Sequence, residues 1–456
     1  MARDTLDETP IEGRDALVAY IAGGEKPAAD FRIGTEHEKF AFHLSDLSPV
    51  PYEGPSGIGA ILTQLGEATG WEPITDQGKI IGLAGTEGGG AISIEPGGQF
   101  ELSGAPLDNL HETCREANGH LVEVREIAER LGVGFLGLGF CPTWTIDEVA
   151  RMPKQRYDIM RAYMPKVGTR GLDMMHRTCT IQVNLDFSSE ADMVKKMRVG
   201  LALQPVATAL FANSPFVEGV PNGMRSNRAE VWRDVDLARS GPIPFAFEDG
   251  FGYERYVDWA LDVPMYFVKR GDTYIEATNA TFRQFMDGKF DKLPGELPTM
   301  GDWINHLSTL FPEVRLKKFL EMRGADGGPW GRICALPAFW VGLLYDDGIL
   351  DQALAMADEL TAADRVHMWN RVPTDGLLTH VKGRTVAAIA REALALASEG
   401  LRRRARSMGD LADERTFLTL LEDAAHSSRS PADELVDAYY GAWNRDIRKV
   451  FETNAF

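Results

Sequence analysis

An α+β fold is predicted from three observations. Residues 79–84, 91–95 and 99–103 are short strand-like runs punctuated by glycine and proline. Residues 178–187 alternate without a break, Cys179, Ile181, Val183, Leu185 and Phe187 against Thr178, Thr180, Gln182, Asn184 and Asp186. That is the period of a strand with one packed and one polar face, and the polar row suits either solvent or a wet cavity. Beyond Ala335 the chain is almost wholly helical, with Ala- and Leu-rich amphipathic stretches at 384–401 and 433–443.

In chain order, residues 14–22 form a short amphipathic helix that Gly23-Gly24 can end. A strand at 33–42 follows, and Ile58, Ile61, Leu62 and Leu65 mark a second helix by their spacing. The glycine-rich stretch 85–90 is predicted to be a flexible loop. Leu110, Cys114, Leu121, Val124, Ile127 and Leu131 outline a long helix that leads into a strand at 134–140. Gly132-Val133-Gly134-Phe135-Leu136-Gly137 matches G-x-G-x-x-G, but it follows a helix and opens a strand, the reverse of the order a dinucleotide fold requires. No Walker A sequence is present. Ser189 to Asp192 reads as a capping-box start to a mainly apolar helix reaching about residue 212. Residues 263–267 and 273–278 are further strand candidates, and 312–323 interleaves basic and apolar residues before a glycine-rich loop at 324–330. Candidate polar sites run from the first strand to residue 332 with no linker or repeat between them. A single catalytic domain over 1–456 is therefore expected, with 346–456 a mainly helical subregion.

The chain has 456 residues, 44% hydrophobic and 25% charged, as a globular protein with a large core does. Its formal net charge of −19 disfavours nucleic acid and anionic membrane as partners, because both are polyanions. The first residues lack a basic n-region and an apolar h-region, and no later run has the apolar length of a membrane span. A cytoplasmic protein is expected on that basis. Cys114, Cys141, Cys179 and Cys334 are too few and too far apart for a secreted disulfide framework, and none forms a Cys-x-x-Cys pair, which disfavours zinc.

The chemistry is concentrated in carboxylates and arginines. On a strand, Glu36 and Glu38 share a face with Phe40 and Phe42, and acids beside apolar packing require a cation or a positive partner. Magnesium takes hard oxygen ligands and is the natural candidate. The plain alternative is a surface strand whose acids pair with Lys39 or an arginine. Glu95 and Glu101 lie on either side of Pro96-Gly97-Gly98, so a tight hairpin brings them together, with Gln99, Glu101 and Ser103 on one face. Arg156, Arg228, Arg315, Arg323 and Arg332 stand in polar-aromatic or glycine-rich contexts suited to carboxylate or phosphate. Neither His37 nor His176 has a sequence partner that marks a nucleophile triad.

The runs 33–40, 94–106 (IEPGGQFELSGAP), 178–187 (TCTIQVNLDF), 211–216 (FANSPF) and 321–340 (EMRGADGGPWGRICALPAFW) resemble glutamate–cysteine ligases of the plant and proteobacterial type. The similarity extends from about residue 30 to the C-terminus. It implies a glutamine synthetase-like fold, a curved, largely antiparallel sheet forming a funnel with helices outside. The implied reaction is ATP-dependent ligation of glutamate to cysteine through γ-glutamyl phosphate, the first step of glutathione synthesis. By the same resemblance Glu36, Glu38, Glu95, Glu101, Gln182 and Glu321 are magnesium ligands or site contacts, and Arg315 and Arg323 face ATP phosphates. Arg156, Thr180 and Arg228 bind glutamate, Tyr266 belongs to the cysteine pocket, and Arg228 and Arg323 take part in catalysis. The positions of a redox-sensitive pair in plant members are Ala277 and Lys292 here, so that switch is expected to be absent, while a second family pair corresponds to Cys114 and Cys334. The missing transit-peptide-like extension fits a bacterial form. A monomer or homodimer is expected, acting on small molecules only. Two alternatives stand beside this reading: a related carboxylate–amine ligase with another acceptor, and a catalytically silent protein of the same fold.

Overall fold

The computed structural model describes residues 4–86, 89–406 and 413–456. Glu87 and Gly88, in the predicted glycine-rich loop, lie outside the described residues.

Nine strands form the central sheet: β1 (Ile33–His43), β2 (Glu72–Asp76), β3 (Lys79–Ala84), β4 (Ala91–Ile94), β5 (Phe100–Ser103), β6 (Val133–Leu136), β7 (Thr180–Leu185), β8 (Val314–Leu316) and β9 (Leu320–Asp326). Their order is β8-β9-β7-β1-β5-β4-β3-β2, every pair is antiparallel, and β6 pairs only with the second half of β1. At eleven residues β1 is long enough to serve two sets of partners. Residues 33–39 lie between β7 and β5, and residues 40–43 run beside β6.

The period of two decides what each face of β1 carries. Ile33, Thr35, His37 and Lys39 are all buried. The His37 ring packs edge-on against His120 of the helix Leu110–Arg130, and Lys39 donates to the Phe100 carbonyl (3.2 Å) beneath the Phe100 and Phe135 rings. Both residues are structural, on the face opposite Glu36 and Glu38. One apolar core lies between β7–β9 and the helices Glu190–Phe211, Trp330–Leu344 and Val386–Arg404. A second fills the space between β3–β6 and the helix Ile58–Thr69. Among the described residues no single helix is long and apolar enough to cross a membrane.

Local sequence explains the turns. Gln77 and Gly78 both have positive φ (48° and 77°), the pattern of a two-residue hairpin whose twist matches its strands, and they join β2 to β3. Pro96-Gly97-Gly98 closes the predicted β4–β5 hairpin through Glu95 N–H to Gln99 O (2.9 Å), and Gly98 has φ 84°. Half of the predicted capping box forms: the Ser189 side chain accepts from Asp192 N–H (3.2 Å), but the Asp192 carboxylate accepts from Ser188 N–H.

Some expectations shift. The strand at 263–267 is displaced to Phe267–Arg270, paired with Thr273–Glu276, because Pro264 lacks an N–H for the ladder. The stretch at 312–323 is a hairpin, β8 and the start of β9, in which Arg315, Lys317 and Glu321 are buried and Lys318 at the turn is exposed. Lys292 pairs with Glu276, beside the buried Ala277.

Cys114 and Cys334 are joined, Cα to Cα 5.5 Å, and Cys141 and Cys179 are buried free thiols. The bond links two helices across a sequence separation of 220 residues. Cross-links over long loops restrict the unfolded chain most, typically by about 2–4 kcal/mol. Thiol titration of the unfolded protein is expected to count two thiols without reductant and four with it, and four in both states rejects the bond.

Candidate active site

Strand register collects the acids. Glu36 lies opposite Ser103 on β5 and Gln182 on β7, and Glu38 lies opposite Glu101. Ser93 on β4 faces Glu101, Asn184 on β7 faces Glu321 on β9, and Glu321 faces Arg315 on β8. Because directly paired residues project to the same side, these side chains share one sheet face. At its start, Thr178 and Thr180, the polar row of β7 lines a cavity.

Each acid is held by a neighbour. Glu36 accepts from the Asn184 amide (2.7 Å), and Glu38 accepts from Thr180 N–H (2.9 Å). Glu101, buried, accepts from Ser93 Oγ (2.6 Å) and Ser103 Oγ (3.3 Å). Glu95 accepts from the Tyr157 hydroxyl (3.3 Å). Gln99 clamps the hairpin that carries Glu95 by donating to the carbonyls of Met175 (3.1 Å) and Thr178 (2.9 Å).

The face has two electrical halves. Burial, then the carboxylates of Glu101 and Glu95, pushes Glu38 well above the ordinary carboxylate range. Burial with Glu321 and Glu101 raises Glu36. Across β7 the balance reverses. Burial alone would raise Glu321, but Arg315, Lys317 and Arg323 overcome it and hold its carboxyl well below the usual range. Arg315 grips both Glu321 oxygens (2.8 and 2.7 Å), Lys317 adds a contact at 3.0 Å, and Arg323 closes on Glu321 and Gln182.

Glu38, Glu95, Thr180, Arg228 and Arg323 line one cavity. Arg228 comes from the short helix Asn227–Trp232, and its Nη2 donates to the Arg323 carbonyl (2.8 Å). Its buried Nε has no partner among the described residues. Asp326 fixes this helix in place. It accepts from Ser214 Oγ (2.6 Å), Ser226 Oγ (2.6 Å) and Asn213 N–H (2.8 Å), while Ser226 caps the helix. That role is missed by sequence reasoning, although Asn213 and Ser214 fall within the noted run FANSPF and Asp326 within EMRGADGGPW.

Not every expected residue reaches this cavity. Arg156 lines a neighbouring cavity, where it meets Asp4 at 3.5 Å. Tyr266 is buried one layer back, its ring over the Arg239 guanidinium at 3.8 Å and 6.4 Å from Phe311, which lines the cavity. His176 sits beside Arg161, and burial first, then Arg161, lowers its pKa to about 4. Among the described residues no three His, Cys, Asp or Glu side chains converge closely enough to hold a metal by themselves.

The family model for glutamate-cysteine ligase family 2 (GCS2) matches residues 32–453. The chloroplastic glutamate–cysteine ligase of Arabidopsis thaliana is 54% identical over 439 residues, 96% of this chain and 82% of the relative. The chloroplastic ligase A of Oryza sativa subsp. japonica is 53% identical over 96% of this chain and 87% of its own. A crystal structure of glutamate–cysteine ligase from Francisella tularensis in complex with AMP superposes with a TM-score of 0.53 at 12% identity, covering 94% of this chain and 89% of that one. It shares the glutamine synthetase-like fold expected from the sequence. The expectation of a cytoplasmic protein is overturned, since these curated relatives are chloroplastic. Compartment is an address read by receptors, and the composition of a catalytic fold does not encode it. With residues 32–453 matched and relatives more than half identical over 96% of its length, this chain belongs to glutamate–cysteine ligase family 2.

Proposed function

We propose that this chain joins the γ-carboxylate of L-glutamate to the amine of L-cysteine at the expense of ATP, giving γ-glutamylcysteine, ADP and phosphate. One observation carries the site assignment. Register sets an acidic half, Glu36, Glu38 and Glu101, against a cationic half, Arg315, Lys317 and Arg323, on one sheet face. A polyphosphate needs both, cations against its oxygens and acids that hold a bridging metal.

Magnesium fits the acidic half, whose carboxyls are raised by burial and by the charge of neighbouring carboxylates. It commonly takes one or two carboxylates and completes six positions with water and phosphate oxygens, in keeping with a site where no three acids converge. Glu36, Glu38, Glu95 and Glu101 would supply carboxylates singly or in pairs to bound magnesium, which neutralises the transferring phosphoryl group. Gln182 and Glu321 join that set once Arg323 and Arg315 turn from them toward phosphate.

Arg228, Thr180 and Arg156 hold glutamate with its γ-carboxylate toward the acids. A γ-carboxylate oxygen bonds to the terminal phosphorus of ATP as the bond to ADP breaks. The cysteine amine then bonds to the acyl carbon and gives up a proton to water or to the departing phosphate as the carbon–oxygen bond to phosphate breaks, and Arg323 and Arg315 neutralise the departing oxygen. Tyr266 shapes the acceptor side through Phe311. The enzyme itself forms no covalent bond to substrate.

Coupled ADP release with glutamate and a panel of amines tests the reading. Cysteine is expected to exceed other amines in kcat/KM by about 10²-fold or more. Equal rates with several amines assign another acceptor, and no ATP turnover leaves a silent fold. Arg228→Ala is expected to raise the glutamate KM by at least about tenfold, the scale of a lost charge-assisted contact. An unchanged glutamate response removes Arg228 from that role.

A further inference from the structure

The N-terminal segment is fastened along the start of the helix Met300–Ser308. Pro10 bridges Thr299, Met300 N–H donates to Thr9 O (2.9 Å), and Gly301 N–H donates to Asp7 O (2.8 Å). Thr5 and Asn305 bond reciprocally, at 2.9 and 3.1 Å. A side chain at Gly301 would collide with Asp7 N at 2.8 Å, so the segment lies close against the helix.

This fastening delivers Asp4 into the cavity that Arg156 lines. The Asp4 side chain is 6% exposed, with Arg156 Nη1 at 3.5 Å from one oxygen and Lys269 Nζ at 3.2 Å and the Tyr274 hydroxyl on the other. Burial opposes its charge, yet Arg156, Tyr274 and Lys269 keep its carboxyl below the ordinary value. Arg156 is only loosely satisfied, since its contact with Asp4 is a single long one and its buried Nε has no partner among the described residues. The next residue, Tyr157, bonds to Glu95 of the acid cluster.

We propose that residues 4–10 act as a strap that holds Asp4 against Arg156 as an internal competitor for glutamate. The inference rests on the glutamate-binding role given above to Arg156. An aspartate carboxylate is the chemical group that a substrate carboxylate presents to a guanidinium. Exchanging one for the other leaves the buried Arg156 paired throughout, and a bidentate substrate contact is stronger than the single one it replaces. Glutamate must therefore displace the strap, and its apparent affinity is reduced by the fraction of molecules in which the strap is closed.

Hydrogen exchange of full-length protein, read over residues 4–10 and 299–305 with and without glutamate, is combined with steady-state kinetics. Asp4→Asn is expected to speed exchange in the strap and to lower the glutamate KM by about three- to tenfold at unchanged kcat, a shift that follows from opening an occluded site. Asn305→Ala, which releases the strap from its other side, is expected to do the same. In the unaltered protein, glutamate is expected to speed strap exchange. An unmoved or raised KM in both variants overturns the proposal, as does glutamate-induced slowing of exchange. If the unaltered protein turns over no glutamate, the assigned reaction fails together with the strap, an outcome distinct from failure of the strap alone, in which turnover persists with an unmoved KM.

Discussion

Glu36→Gln and Glu101→Gln are expected to lose turnover by about 10³-fold or more, the scale on which removing one well-placed electrostatic group acts, while the folded state survives. Neither carboxylate fills a core position, and each neighbours other acids. Burial, Glu321 and Glu101 raise the Glu36 carboxyl, so neutralising either residue relieves repulsion. The pH dependence follows from that direction. A carboxyl whose folded value stands above its ordinary 4.5 contributes stability that is fully present below pH 4.5 and lost as pH rises through the folded value. In thermal melts without metal, Glu36→Gln is expected to match or exceed the parent, with the gap widening from pH 4.5 toward neutrality. Magnesium is expected to raise the parent's Tm more at pH 7.5 than at pH 5, because its ligands must be deprotonated. Near-normal rates in both variants remove these residues from the metal site, and a magnesium response that does not depend on pH removes their titration from it.

Glu321→Ala has the opposite effect on stability. Glu321 is fully buried and compensates Arg315, Lys317 and Arg323 together. Its loss strands buried cations, which costs about 3–5 kcal/mol for a broken buried pair. Urea unfolding is expected to show a much lower midpoint, and Glu321→Gln, which keeps the hydrogen-bonding shape, an intermediate one. A midpoint within experimental scatter of the parent refutes the compensating role. Glutamates that stand alike in the sequence therefore divide by what faces them. Those on β1 and β5 meet other acids, which suits the ligand role proposed for them, and the one on β9 meets cations.

Much of the site was legible before any coordinates. The face shared by Glu36 and Glu38, the Pro-Gly-Gly hairpin beside Glu95 and Glu101, and the polar row Thr180, Gln182, Asn184 all appear as expected. Less legible was 312–323, whose charged and apolar residues alternate as on a strand with one wet face, whereas β8 and β9 are buried with their charges paired to one another. Tyr266 was expected in the cysteine pocket and Arg156 in the glutamate pocket on resemblance. One stands a layer behind the cavity, and the other is engaged by Asp4.

The sequence by itself determined which side chains share a face and where the chain turns, because strand period and turn chemistry are local properties of a few consecutive residues. It also determined the family, through long runs of matching residues. Tertiary structure alone decided which acids meet acids and which meet cations. Those meetings depend on register between segments far apart, Glu36 with Asn184 across 148 residues and Arg156 with Asp4 across 152. Charge compensation in a buried face is a property of the neighbours across strands, and no stretch of sequence contains it.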